Sequence, residues 1–143
     1  MNDTVTTGVS PKRWVVSAKA APRQPMTLFC AGRPLNTAAT GVPDGVSPVE
    51  YLLLAIAGSF ALSCCGAWKS RKARPTAVEV TVTGEKAADA PSRVGRIVLA
   101  VVFGGGISPE EARAIAQEAK HLCTVTNTIF GAPTVEVTAD AGR

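Results

Sequence analysis

From Tyr51 to Trp68 the chain runs eighteen residues without a charge, and no other stretch limits the possible folds as much. Ser47-Pro48-Val49-Glu50 ahead of it is a helix start: Ser47 can cap, Pro48 suits the first helical position, and Glu50 sits where a capping box wants an acid. The pattern predicts a helix from there to about Lys72, before Pro75, roughly 39 Å long. Eighteen uncharged residues meet the lower limit for a membrane span. Glu50 on one side and Lys69, Arg71, Lys72 and Arg74 on the other even suit the positive-inside rule. The second half, however, carries Gly58, Ser59, Ser63, Cys64, Cys65 and Gly66 and is weakly hydrophobic. The surrounding strands also need an apolar partner that no other segment supplies. A helix apolar on every side is equally the buried centre of a soluble protein. In a chain of 143 residues, burying every side calls for a second subunit, so a homodimer without membrane insertion is expected.

The flanking segments alternate. "RWVVSAKA" (13–20) and "MTLFCAG" (26–32) read as strands paired through the turn "PRQP". "RPLNTAATGVPDGV" (33–46) reads as a long loop, either floppy or functional. "TAVEVTVTGE" (76–85) is a strand with Val78, Val80 and Val82 facing in, and "RVGRIVLAVVFGG" (93–105), almost continuously apolar, reads as a central strand. Ser108-Pro109-Glu110-Glu111 starts a second helix with Ala112, Ile115, Ala119 and Leu122 on one stripe. "CTVTNTIFGAP" (123–133) reads as a short helical turn stopped by Gly131 and Pro133, and "TVEVTAD" (134–140) as a closing strand. The order β-β-α-β-β-α-β is an α+β pattern, an apolar helix laid across an antiparallel sheet. Residues 1–12 read as a loose tail and 13–143 as a single domain.

Composition excludes several function classes. A net charge of +4 is spread along the chain, and its densest cluster, Lys69 to Arg74, has no interleaved aromatics beyond Trp68, so no nucleic-acid partner is expected. The polar start MNDTVTTGVSPK has no apolar signal core, so a cytoplasmic location is expected. Cys30, Cys64, Cys65 and Cys123 are then expected as thiols. With one histidine, His121, and no CxxC pair, no metal site is expected. The "GGG" at 104–106 lacks the spacing and lysine of a phosphate loop and reads as a turn, so no cofactor is expected.

"SPVEYLLLAIAGSFALS" followed far downstream by "CTVTNTI…VEVT" resembles the OsmC/Ohr family, the osmotically inducible and organic-hydroperoxide-resistance proteins, over about residues 13–140. The resemblance implies an intertwined homodimer with two long central helices buried between sheets. It also implies reduction of organic hydroperoxides by two cysteines, with a dithiol reductant. One cysteine lies eleven residues after the helix-start proline, and the other leads the Cys-x-Val motif. An arginine from the N-terminal strands sits beside the reactive thiol, and a glutamate near the proline partners it. On this chain Cys123 matches the second cysteine, with Thr124 where proline is common. Arg23 is the best match for the arginine and Arg33 a weaker one. Val49 follows Pro48 directly, and Glu50 stands one residue later, as in other branches of the family. The first cysteine's position is held by Ser59.

A serine hydroxyl cannot replace a thiolate in peroxide reduction. Ser59 alternatively reads as a small residue at a close helix contact, its hydroxyl on a backbone carbonyl. Cys64 lies five residues on, about 140° round the helix, and Cys65 about 120° round the other way. Either pairs with Cys123 only if the second motif or the helix is shifted. As plain core residues, Cys64, Cys65 and Cys30 are inert thiols. Cys123 follows the last turn of a helix, which by itself supplies no favourable dipole, though Lys120 and His121 are close in sequence. Two functions stay open. One is a thiol-dependent organic hydroperoxide reductase of oxidative or osmotic stress defence, using Cys123 with Cys64 or Cys65. The other is a non-catalytic dimer that binds a small hydrophobic ligand at an interface pocket.

Overall fold

The computed structural model describes residues 13, 16–19, 26–30, 33–38, 46–72, 74–132, 135–137 and 139. They fall in two compact units, Met1–Pro48 and Val49–Arg143.

The first unit holds an antiparallel sheet of β1 (Val16–Lys19), β2 (Met26–Cys30) and β3 (Arg33–Ala38), in that order. β1 and β2 pair as the sequence pattern predicts, with Val16 opposite Cys30 and Lys19 opposite Thr27. β3 corrects the reading of 33–46 as loop: its first six residues form a strand, with Cys30 opposite Arg33. Asn36 and Pro34 made the segment look like a turn, but a proline is tolerated on a strand at the side of a sheet. Arg23 lies outside the described residues, as do the side chains of Cys30 and Arg33.

The second unit takes up α1, Pro48–Trp68, from Val49 onward; the helix ends four residues before the predicted Lys72. A turn at Lys69 and Ser70 ends it, closed by the Arg71 N–H on the Trp68 carbonyl at 3.0 Å. The basic cluster therefore lies just past the helix. Arg71 uses its charge elsewhere, bridging Glu111 at 3.3 Å and Glu118 at 3.0 Å. Ile56, Phe60, Cys64 and Ala67 form the buried stripe of α1, at the three- and four-residue spacing of one helix face. Leu52, Leu54 and Leu62 are exposed, Leu62 to 75%.

β4 (Val78–Lys86) and β5 (Val94–Phe103) pair antiparallel, with Val78 opposite Phe103 and Val82 opposite Leu99. The predicted alternation of β4 holds: Val78, Val80 and Val82 are half-buried and the residues between them exposed. β5 is not central among the described strands. It pairs with β4 alone, and Val98 and Val102 on its second face are exposed. Its inner face, Leu99, Val101 and Phe103, packs with Val78 and Val80 on a core of Phe60, Cys64, Ala67, Ile115, Ala119 and Cys123. Trp68 at the end of α1 meets Phe103 edge-on, ring centroids 6.1 Å apart. At the other end Leu53 covers Gly84, where a Cβ would lie 3.0 Å from it. The glycine run after β5 is the expected turn: Gly105 takes φ +96° beneath Thr76, a conformation that favours glycine.

α2 (Pro109–Leu122) starts as read, the Ser108 hydroxyl accepting from the Glu111 N–H at 3.2 Å. Its buried stripe is Ile115 and Ala119 continued by Cys123, whereas Leu122 is half-exposed. The four-residue step keeps one face, and Leu122 lies about 60° off it. α3 (Thr124–Phe130) follows at once and stops at Gly131, as predicted. The closing strand over 134–140 is not present in the described residues. Residues 135–137 have no regular structure, and Val135 and Val137 are at least 80% exposed. Alternation fixes which side chains share a face, not that a strand edge is free to receive them.

Candidate functional site

Cys123 is the hinge between α2 and α3 and belongs to the ends of both helices. Its backbone is extended (φ −75°, ψ 103°), which breaks one helix and begins the next. Its N–H still bonds the Ala119 carbonyl at 2.9 Å, while its own carbonyl accepts from the Asn127 N–H at 3.0 Å and the Thr126 hydroxyl at 3.2 Å. The Asn127 side chain reaches back to the His121 carbonyl at 2.9 Å, covering an open acceptor at the end of α2. The expectation that Cys123 lies only at a helix C-terminus is thereby corrected: it also sits at the start of α3.

The side chain of Cys123 is wholly buried, and its thiol donates to the Ser59 hydroxyl of α1, Sγ to Oγ 3.3 Å. The residue at the family's first-cysteine position and the family's second cysteine are thus direct neighbours. Ser59 is a small residue at a close contact, and its hydroxyl accepts from Cys123. It is Ser63 whose hydroxyl bonds a carbonyl, that of Ser59, at 2.8 Å.

Burial is the largest influence on the Cys123 thiol and pushes its pKa up. The Ser59 hydroxyl, the Thr126 hydroxyl and the N–H groups of Thr126 and Val125 act the other way, and together they hold it below the ordinary thiol value. No closed capping hydrogen bond joins these N–H groups to the neutral thiol; they favour its ionised form. Cys64 behaves oppositely. Burial first, then the charges that Cys65 and Cys123 would carry, push it up to about 11. Cys64 shares the buried cluster with Cys123, whereas half-buried Cys65 is not part of it, and Cys64, Cys65 and Cys123 are all free thiols. Of the two buried thiols, Cys123 is lowered and Cys64 raised.

A groove of about 290 Å3 is lined by Ile56 of α1, Ile97 and Leu99 of β5, and Thr126, Ile129 and Phe130 of α3, with Arg96 also on its wall. Ile56 lies one turn before Ser59 on the same side of α1, and the Thr126 hydroxyl donates to the Cys123 main-chain carbonyl at 3.2 Å, so these two residues stand between the groove and the Ser59–Cys123 pair. Arg96 pairs with Glu85 at 3.1 Å across the β4–β5 ladder. Glu50 is exposed in the first turn of α1, nine residues from Ser59 and about 14 Å away along the helix axis. His121 is exposed, and Lys120 lies 5.8 Å over the Phe130 ring. Among the described residues no three His, Cys, Asp or Glu side chains gather as a metal site. Sequence reasoning missed Thr126 and the groove. The available signal was the Thr-x-Thr spacing after Cys123, which places Thr126 one helical turn from the sulfur.

The family model described as OsmC-like protein matches residues 41–138. Among solved structures, an OsmC-like protein from Mycoplasma pneumoniae aligns with TM-score 0.74 at 17% identity, over 84% of this chain and 89% of that one. An organic hydroperoxide resistance protein OsmC from Legionella pneumophila aligns with TM-score 0.62 at 18% identity, over 84% and 90%. An organic hydroperoxide resistance protein from Elizabethkingia anophelis, with thiocyanate bound, aligns with TM-score 0.64 at 15% identity, over 85% and 91%. No curated protein matches the chain significantly.

Proposed function

This chain belongs to the OsmC-like protein family, and from that premise we propose that it serves in oxidative-stress defence as an organic hydroperoxide reductase with one reacting thiol, Cys123. The observation that carries the reading is the buried Cys123 sulfur, 3.3 Å from the Ser59 hydroxyl and held below the ordinary thiol pKa. The names of the Legionella and Elizabethkingia structures, both organic hydroperoxide resistance proteins, agree with it. The Cys123 thiolate attacks the terminal oxygen of the hydroperoxide. The S–O bond forms as the O–O bond breaks, giving a sulfenic acid and an alkoxide, which takes up the proton the thiol released. With Ser59 in place of a cysteine, the sulfenic acid passes to an external dithiol. One thiol displaces water and forms a mixed disulfide, and the second releases Cys123.

The apolar groove suits an organic substrate better than hydrogen peroxide. Its volume of about 290 Å3 has room for roughly ten non-hydrogen atoms at the ~30 Å3 a water molecule occupies. The same reading includes a homodimer, in which a second copy covers Leu52, Leu54 and Leu62 of α1, exposed in the single chain. The groove also favours a second reading, a dimer that binds a small hydrophobic ligand without turnover.

Consumption of cumene hydroperoxide with dithiothreitol as donor separates the two. The reductase reading predicts turnover that Cys123→Ser abolishes and Cys64→Ala spares, with hydrogen peroxide a poorer substrate. No consumption, with saturable binding of cumyl alcohol, would replace it by the ligand-binding reading.

A further inference from the structure

Thr126 is the one groove-lining residue among those described that hydrogen-bonds Cys123. It is 8% exposed, a buried polar residue. From this position we infer that the Thr126 hydroxyl is a catalytic residue, donating to the oxygen that leaves when Cys123 attacks a hydroperoxide in the groove. The inference rests on the reductase reading and adds to it the group that meets the departing charge.

The geometry gives Thr126 a resting state and a working state. At rest its hydroxyl donates to the Cys123 carbonyl, three residues back on the helix, at 3.2 Å. A helical threonine divides between two rotamers because this bond to a preceding carbonyl is optional. Leaving the carbonyl costs little here, because the Cys123 oxygen also accepts from the Asn127 N–H at 3.0 Å. The hydroxyl then exchanges a neutral acceptor for a developing alkoxide, and hydrogen bonds to ionised acceptors are roughly twice as strong as neutral ones. Ser59, the other hydroxyl at the sulfur, is not a groove-lining residue and is engaged with the thiol itself. Both hydroxyls favour the thiolate, and Thr126, the one of the two on the groove wall, is the one that also meets the leaving oxygen. Through the step the thiolate loses an electron pair to the S–O bond, the O–O bond breaks, and RO− leaves with the Thr126 hydrogen bond. It becomes ROH with the proton earlier given up by the thiol.

The test compares the full chain with Thr126→Val, which removes the hydroxyl and keeps the shape, and Thr126→Ser, which keeps it. Single-turnover sulfenic acid formation is followed with cumene hydroperoxide, whose leaving group is an alkoxide, and with perbenzoic acid, whose leaving group is a stable carboxylate. Rates are taken on the alkaline plateau of the iodoacetamide alkylation profile, where Cys123 is ionised in every variant. The expected result is a loss of roughly 10- to 100-fold in Thr126→Val with cumene hydroperoxide, little loss with perbenzoic acid, and recovery in Thr126→Ser. Equal losses with both oxidants, or none with either, would overturn the assignment while the reductase reading stands. If the unaltered protein forms no sulfenic acid with either oxidant, the reductase reading falls and the assignment falls with it.

Discussion

Replacing Ser59 by alanine removes one defined interaction from the site, the hydroxyl 3.3 Å from the Cys123 sulfur. That hydroxyl is, after burial, the first of the influences on the thiol's ionisation and the largest of those that lower its pKa. A hydrogen bond to a charged group contributes about 1.5–3 kcal/mol, and at fixed pH below the thiol's midpoint the thiolate population falls by the corresponding factor. Iodoacetamide reacts with the thiolate alone, so alkylation of Cys123 in Ser59→Ala at pH ~7 should slow by roughly 10- to 100-fold. The sign reverses at high pH. Once both proteins are fully ionised, the variant's more basic thiolate should react at least as fast, because nucleophilicity rises with thiol pKa. The profile should therefore shift to higher pH and keep its plateau. An unshifted profile would refute the claim that Ser59 stabilises the thiolate; a lowered plateau without a shift would assign Ser59 to access instead.

The remaining predictions concern the scaffold. Cys64 is wholly buried, and its thiol is raised to about 11 from an ordinary 9.0. Its contribution to stability is intact below pH 9.0 and is lost as pH rises toward 11, a fall of up to ~3 kcal/mol. Urea unfolding at pH 8 and pH 11 should show that fall, and Cys64→Ala should largely remove it. Ile115→Ala, at a fully buried position beside Cys123, should destabilise by about 2–5 kcal/mol in urea titration. Ser108→Ala should cost about 1 kcal/mol in the same assay through loss of the α2 cap.

Helix starts and strand faces were legible because their causes are local. Ser108 and Pro109 announced α2, and the Val78, Val80, Val82 alternation announced the inner face of β4. The long uncharged stretch reads as one helix, and Phe60, Cys64 and Ala67 of its buried stripe belong to the core. What local pattern could not supply was pairing. β3 was hidden because Pro34 and Asn36 look like turn residues, although a strand at a sheet's side tolerates them. β5 read as central because it is apolar on both faces, yet β4 is its one partner among the described strands. At the site, the chain itself names Cys123 and Ser59. The contact between them joins residues sixty-four positions apart. The environment of the sulfur was less legible. A cysteine after a helix reads as a C-terminal residue until the extended backbone at 123 makes it the N-cap of another helix. Thr126 then depends on that break, since only the new helix brings it back over Cys123.

Which sulfur reacts is the central question, and peptide mapping answers it directly. The protein is exposed to less than one equivalent of cumene hydroperoxide in the presence of dimedone, digested, and examined by mass spectrometry. The account predicts a sulfenic acid adduct on the peptide carrying Cys123 before any change at Cys64 or Cys65. First oxidation at either of those, with Cys123 still a free thiol, would contradict it.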